Sequence, residues 1–459
     1  MNTYSKLSVL FSILFAHGVC LGEEPISKDS VQAALRKAAT YYREKVAVHG
    51  GYVYHYTIDL KERWGEGKAN PEQIWVQPPG TPTVGMAFLK AYEATGDGYY
   101  LNAAKDAAMV LVYGQLSTGG WSNQIDFSRI DLKNFGTKNF RPRESHSSLD
   151  DGQTQSANQI IVKVDAALKF KDVHIHQSAR MALDALLAAQ FPNGGFPQVW
   201  RGPVEKQKVY RASFPDYDWR TEGRVKNYWD YYTLNDNVCG YVADTLITAH
   251  QVYNDSKYMT ALARLGDFLI LAQMPDPQPA WAQQYNYLMR PIWARRFEPA
   301  SISGDESQEA IETLMKIAVA TGNRKCLQPI PKALAYLKKS ELPGRKLARF
   351  YELQTNRPLY MVRKSKKVYE LTYDDSNLPS HYGWKTNSHV DNLQKKYQAL
   401  LSNLKPDSRP KPVKPTDVLK VLQSQDDLGR WVSVHDGRKL VGQAKFPPQC
   451  EVSFQCSVQ

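Results

Sequence analysis

One recurring pattern constrains the fold of this chain more than any other feature. A short turn containing Asp or Asn opens a stretch with apolar residues at i, i+3, i+4 and i+7, and a Gly or Pro loop carrying an aromatic ends it. Thr95-Gly96-Asp97-Gly98 opens one such stretch, which ends at Gln115 and is followed by Gly119-Gly120-Trp121. Phe170-Lys171-Asp172 opens a second, ending at Gln190 before Asn193-Gly194-Gly195-Phe196. Tyr253-Asn254-Asp255 opens a third, which reaches Gln273 and then Ala280-Trp281. Thr321-Gly322-Asn323 opens a fourth, ending near Leu342-Pro343-Gly344, and an earlier helical stretch from Val31 to Val48 precedes Gly50-Gly51-Tyr52. Further helical stretches lie between these units, at Thr83 to Glu93, Thr154 to Phe170, Asn237 to Tyr253 and Glu306 to Ala320. Paired helices repeated about every 70 to 90 residues predict stacked helical hairpins. The expected fold is therefore all-α, an (α/α) toroid or barrel with the Gly-aromatic loops at one rim and a short C-terminal extension. Strand patterns are few; Lys367 to Leu371 and Arg430 to Val434 are the best.

The ends of the chain read differently from this body. Lys6, an apolar run from Leu7 to Ala16 and small residues before Glu23-Glu24 match a secretory signal peptide over residues 1–22. That run is too short to span a bilayer, and no later stretch is long and apolar enough to do so. The expectation is an exported protein, secreted or periplasmic, with no membrane insertion after signal cleavage. The repeat-bearing domain is expected over 23–400. Residues 401–415 read as a Pro/Lys-rich linker, since Lys405 to Pro415 holds four prolines and four basic residues. Residues 416–459 form the extension, of unassigned role. Five cysteines are too few for a disulfide scaffold. Cys450 and Cys456 are close enough in sequence to form a small loop, and Cys239 and Cys326 sit in helical patterns as buried thiols. No Cys/His spacing suggests zinc.

Charge narrows the partner. Lys and Arg number 58 against 46 Asp and Glu, a formal charge of +12. Such a surplus suits an acidic partner, and export disfavours nucleic acid, which leaves an anionic surface or an acidic polymer. A solvated basic tail accounts for part of it. The 27 tyrosines and 10 tryptophans suit either a sugar-facing surface or an aromatic-rich core.

Three segments carry more polar and aromatic chemistry than packing requires. Asn193-Gly194-Gly195-Phe196-Pro197-Gln198-Val199-Trp200 combines tight-turn glycines with flat aromatic faces, and also reads as an ordinary interhelical turn. Asn235-Asp236-Asn237 clusters three oxygen-bearing side chains where a helix begins. An N-cap explains one of them, and hard oxygen ligands of this kind suit calcium. The third is a pair of arginine-rich runs, Trp293-Ala294-Arg295-Arg296-Phe297-Glu298-Pro299 and Ala348-Arg349-Phe350-Tyr351-Glu352 through Thr355-Asn356-Arg357-Pro358. Arginine holds carboxylates by two-point contact, whether in an anionic ligand or in Glu298 and Glu352 themselves.

Taken in order, these segments together with Trp281-Ala282-Gln283-Gln284-Tyr285 resemble the pectic acid lyases of polysaccharide lyase family 10, over roughly Gly80 to Trp384. Each motif is weak alone; six in order are specific. The family is an (α/α) toroid, in agreement with the repeats. The resemblance implies calcium-assisted anti-β-elimination on α-1,4-linked polygalacturonate, with an arginine as base. It points to Asp236 for calcium, with Asn237 beside it and Asn286 where the family commonly has a second acid. That departure removes one negative charge, which either weakens calcium affinity or is made good by another acid such as Glu298. Arg357 or Arg349 is the expected base. Arg295, Arg296 and Asn356 are expected to bind substrate, with Trp200, Trp281 and Trp293 either stacking on sugar faces or packing in the core. Two other functions fit the fold: a glycoside hydrolase, for which Asp151, Asp216 and Asp218 are available acids, and a non-catalytic binder of acidic polysaccharide.

Overall fold

In the computed structural model, residues 26–137, 141–222, 224–365, 367–404 and 413–432 are described. The signal-peptide reading, Cys450, Cys456 and the middle of the linker lie outside them. The helices in chain order are α1 (Lys28–Tyr41), α2 (Thr81–Thr95), α3 (Gly98–Tyr113), α4 (Gln153–Ala167), α5 (Val173–Ala188), α6 (Val238–Tyr253), α7 (Ser256–Ala272), α8 (Gly304–Thr321), α9 (Ile330–Lys339), α10 (Val390–Ser402) and α11 (Pro415–Gln423). The fold is all-α, of the (α/α) hairpin class that the repeat predicts. None of the described helices is long and apolar enough to cross a membrane.

The Asx turns do what their chemistry predicts. Gly96 turns left-handed after α2, and the Asp97 carboxylate accepts the Tyr99 N–H at the start of α3. Asn254 and Asp255 perform the same two tasks between α6 and α7, as do Gly322 and Asn323 after α8. Each turn thus ends one helix and caps the next, so the hairpin is encoded locally.

A second device repeats with the helices. A glutamine beyond the helix end donates its amide to a loop carbonyl four to six residues ahead and to a carbonyl of a later segment. Gln115 reaches Gly119 and Ser178, Gln190 reaches Gly194 and Ala261, and Gln273 reaches Pro279 and Pro329. Tryptophans add a further bond. The Trp121 indole donates to the Leu111 carbonyl and that of Trp281 to the Leu269 carbonyl, each at 2.8 Å, satisfying oxygens near a helix end.

The contacts divide the chain into two compact units, one of residues 1–147, 156–183 and 408–459, the other of 148–155 and 184–407. In the first unit the C-terminal segment is part of the core. Val418, Val421 and Trp431 pack with Val31, Ala38 and Ala87. Both repeated devices recur there: the Trp431 indole donates to Val421, and the Gln425 amide bonds Gly429 and Ala34 of α1.

In the second unit α8 packs on α6, α7, α9 and α10. A four-stranded antiparallel sheet leads into it, with β1 (Ser301–Ser303), β2 (Phe350–Glu352), β3 (Pro358–Arg363) and β4 (Tyr369–Thr372) side by side. Only β4 had a clear strand pattern in the sequence; β1 and β2 are three-residue runs, too short for alternation to register. Gly304 joins β1 to α8. A Cβ there would lie 2.3 Å from the Ala348 carbonyl oxygen, so only glycine lets the two segments approach. The Gly304 N–H donates to the Arg349 carbonyl at 3.0 Å, which sets Arg349 beside the first turn of α8.

Candidate active site

Two similar turns build the site, both within the second unit. Leu149-Asp150-Asp151-Gly152 precedes α4, and Leu234-Asn235-Asp236-Asn237 precedes α6. Each turn is anchored by its buried leucine. The Leu149 N–H donates to the Gln198 carbonyl at 2.8 Å, and that of Leu234 to the Gln283 carbonyl at 2.9 Å. The Asn-Gly-Gly-Phe-Pro-Gln and Trp-Ala-Gln-Gln-Tyr segments therefore serve as struts for these turns. Asp151 and Asp236 both sit left-handed, at φ 47° and 52°, a conformation Asp and Asn tolerate better than most residues.

One carboxylate oxygen from each of Asp150, Asp151 and Asp236 lies within 4.8 Å of the others. Burial, then the neighbouring Asp150, pushes the Asp236 carboxyl up to about 6. One oxygen of Asp150 is buried with no hydrogen-bond partner. Three converging carboxylates with an orphaned oxygen fit a hard divalent cation, which takes oxygen ligands and cancels their repulsion.

Two arginines flank the acids. Arg295 lies 3.7 Å from Asp150 and 3.7 Å from Glu298, with its side chain 33% exposed, and its Nε donates to the Tyr228 hydroxyl at 3.4 Å. Burial works against its charge, but Glu298, Asp150 and Asp236 outweigh burial and raise its pKa. Arg349 is more enclosed. It pairs with Asp305 at 3.2 Å and Glu306 at 2.7 Å, and its guanidinium lies 4.8 Å from the Tyr382 ring centre. Burial opposes this charge also, and Glu306 leads the carboxylates that raise the pKa.

A hydrogen-bonded chain ties the parts together. Asn235 donates to Asp236 and accepts from Gln283; Gln283 and the Tyr382 hydroxyl both donate to Glu298, at 3.4 and 3.0 Å. The Arg295 N–H donates to the other Glu298 oxygen at 3.0 Å. Burial raises the Glu298 carboxyl pKa, with Arg295 opposing.

Several expected residues lie elsewhere. Arg357 is exposed, with its guanidinium 3.4 Å from the centre of the Tyr373 ring, and the charges acting on Asp236 are Asp150, Arg349 and Arg295. Asn286 caps its own turn, its side-chain oxygen accepting the Leu288 and Arg290 N–H groups at 3.0 and 3.1 Å, so it is not placed as a metal ligand. Asn237 adjoins the cluster in sequence, but its side chain folds over Gly240, where a Cβ would sit 2.2 Å from its oxygen. Asn356 is satisfied internally by Tyr336, Gln278 and Ser340. Trp281 is fully buried and caps α7, and Trp200 is buried as well, so neither presents a face to a sugar. Trp293 is half-buried against Trp219. Arg296 is exposed and donates to the Lys367 carbonyl at 3.0 Å. Of the acids available to a hydrolase, Asp216 is gripped by Arg290 and Asp218 caps the turn at Arg220, while Asp151 belongs to the acid cluster.

The sequence reading passed over Asp150, Glu306 and Tyr382, and read Asp151 only as a hydrolytic acid. The available signal was the likeness of Leu149-Asp150-Asp151-Gly152 to Leu234-Asn235-Asp236-Asn237, each just ahead of a helix.

Among solved structures, a family 10 polysaccharide lyase from Cellvibrio cellulosa is 20% identical, with a TM-score of 0.48, over 64% of this chain and 90% of that one. A D189A mutant of a family 10 polysaccharide lyase from the same organism, in complex with trigalacturonic acid, is 18% identical, with a TM-score of 0.48, over 69% and 98%. A cellobiose 2-epimerase from Bacillus thermoamylovorans is 14% identical, with a TM-score of 0.45, over 70% and 74%. No curated protein matches. The family model described as pectic acid lyase matches residues 115–347, just over half of the chain and a span that holds the acid cluster and Arg295. The chain belongs to the pectic acid lyase family.

Proposed function

We propose that this protein is an exported pectate lyase that cleaves α-1,4-polygalacturonate by anti-β-elimination, with a calcium ion held by Asp150, Asp151 and Asp236. The observation that carries this reading is the convergence of those three carboxylates beside two arginines. An acid cluster of this kind suits calcium, and the arginines suit a polymer whose every sugar bears a carboxylate. When bound, the cation supplies positive charge that makes the C5 proton of a uronate more acidic.

The chain's own residues then divide the work. Arg349, fixed by Asp305 and Glu306, stays cationic and holds a substrate carboxylate. Arg295 makes only long ion pairs and keeps a third of its side chain exposed, so it is free to meet the C5 proton. We assign it as the base, in place of the expected Arg357 or Arg349. The neighbouring carboxylates hold this guanidinium charged; a bound cation would offset them, so that at alkaline pH it gives a proton to hydroxide, and the neutral guanidine then takes the C5 proton while the C5–H electron pair forms the C4=C5 double bond and the C4–O bond breaks. The leaving oxygen gains its proton from solvent. Glu298 and Tyr382 hold Arg295 in place.

The test is near-ultraviolet absorbance of polygalacturonate with purified protein at alkaline pH, with calcium or with chelator. A rise that needs calcium supports the proposal. Reducing ends without a rise mean hydrolysis, and binding with neither signal means a non-catalytic polysaccharide binder.

A further inference from the structure

Within the first unit a cavity of about 320 Å³ opens between the loop after α3 and one face of α5, large enough for a single sugar ring. It shares no residue with the acid cluster or its flanking arginines. His174, Gln177, Ser178 and Met181 line it from α5, and their spacing of three and four residues places them on one face of the helix. Leu116 and Phe135 add apolar walls, and no Asp, Glu, Lys or Arg lines the cavity among the described residues. The Phe135 ring is held on two sides, edge-on to Tyr113 at 4.6 Å and 5.1 Å from the His174 ring. Gly136, left-handed at φ 76°, lets the backbone after Phe135 run close to His174, where a Cβ would lie 3.2 Å from the imidazole.

Packing does not account for the polar groups in this lining. The Ser178 side chain is buried, and its hydroxyl has no hydrogen-bond partner. The three glutamine bonds that link successive segments end on carbonyls at one position, six residues past Asp172, Asp255 and Asn323. That position is Ala261 in the second case and Pro329 in the third, so the repeat itself requires no hydroxyl there. His174 gives its backbone N–H to Asp172, but its ring nitrogens have no hydrogen-bond partner among the described residues.

We propose that this cavity binds an uncharged sugar residue and so forms a second, non-catalytic carbohydrate site. A sugar ring offers a flat C–H face to Phe135 and hydroxyls to Ser178 and His174. A wholly apolar ligand would leave the buried hydroxyl without a partner. A uronate would find no cation for its carboxylate.

The test is affinity electrophoresis of the full chain in gels holding a galactan, an arabinan or a xylan, with polygalacturonate as the charged comparison. At least one neutral polymer should retard the wild type. Ser178→Ala, which matches Ala261 at the same position of α7, should weaken that binding about fivefold, the scale of one hydrogen bond. Phe135→Ala should weaken it about tenfold by removing the aromatic face. Should Phe135→Ala lose its melting transition, Ser178→Ala decides alone. Retardation by none of the neutral polymers, or retardation undiminished in Ser178→Ala, would overturn the inference. The readout is binding in a neutral gel, so it stands whether or not the protein cleaves polygalacturonate.

Discussion

Asp151 and Asp236 occupy the same position in two similar turns, at φ 47° and 52°, and their carboxylates meet at the site together with that of Asp150. Each aspartate lies just ahead of its own helix, α4 or α6. Two similar turns thus bring together a pair of carboxylates from segments 85 residues apart in sequence.

The first prediction concerns the cation. Millimolar calcium should raise the melting temperature of the chelator-treated protein, and Asp236→Ala or Asp151→Ala should abolish that rise. At 100 times its dissociation constant a ligand adds about 2.7 kcal/mol. A calcium-induced shift undiminished in both variants would place the metal elsewhere.

The arginines give a graded prediction. Arg295→Gln should lower kcat on polygalacturonate by about a thousandfold, the usual scale for a general base. Arg349→Gln should mainly raise KM, because its role is to hold a carboxylate. Arg357→Ala, whose guanidinium lies over Tyr373, should stay within about fivefold of wild type. Full activity in Arg295→Gln would remove it as the base.

The pH dependence follows from Asp236, raised to about 6 chiefly by burial and by Asp150. The folded protein without metal holds this proton between about pH 4 and 6, where the unfolded chain releases it. Stability of the chelated protein should therefore fall as pH rises through that window, by about 3 kcal/mol if Asp236 acts alone. Calcium competes with the same proton, so its affinity should weaken below about pH 6 and level off above. Urea titrations at pH 4.5 and 7, with calcium and with chelator, read both effects.

Glu309 supplies a stability prediction at the same site. Burial, followed by Glu306 and Asp305, raises its carboxyl pKa well above the usual range, and one of its oxygens is buried without a hydrogen-bond partner. The cost builds as pH rises from the unfolded carboxyl's ordinary value to the raised folded one, and is complete above it. Glu309→Gln should accordingly raise the melting temperature by about 2 °C at pH 8 and by less at pH 4.5, where the folded carboxyl keeps its proton and the unfolded one is only about half ionised. Calorimetry of the chelated protein at the two pH values checks this.

The C-terminal segment should be required by the first unit. Trp431 is buried against α1 and α2 and caps α11. Trp431→Ala should cost about 3–5 kcal/mol, as for other buried aromatics. It should speed hydrogen exchange in α1 more than in α8, as mass spectrometry of peptic fragments would show.

Much of this was legible in the chain itself. Helix periodicity and Asx or Gly turns are local properties, satisfied by side chains a few residues from the groups they cap. The hairpins, their order and the turn at Asp97, Asp172, Asp255 and Asn323 therefore follow from the sequence alone. Asp236 was marked by the asparagines on either side of it, and the arginine runs by their density of charge.

What the sequence left open depends on contacts between distant segments. It did not show that Trp281 turns inward to cap α7, because a buried and an exposed tryptophan read alike in a loop. Nor did it separate Arg357 from Arg349: the two lie eight residues apart, but Gly304 draws only Arg349 against Asp305 and Glu306. Asn286 seemed a metal ligand by its place in a motif, yet its own turn takes up its oxygen. Sequence by itself determined the helices and their capping turns, since those are fixed by neighbours along the chain. Only the tertiary structure decided which acids and arginines share a site, since charges that meet in space need share no spacing in sequence.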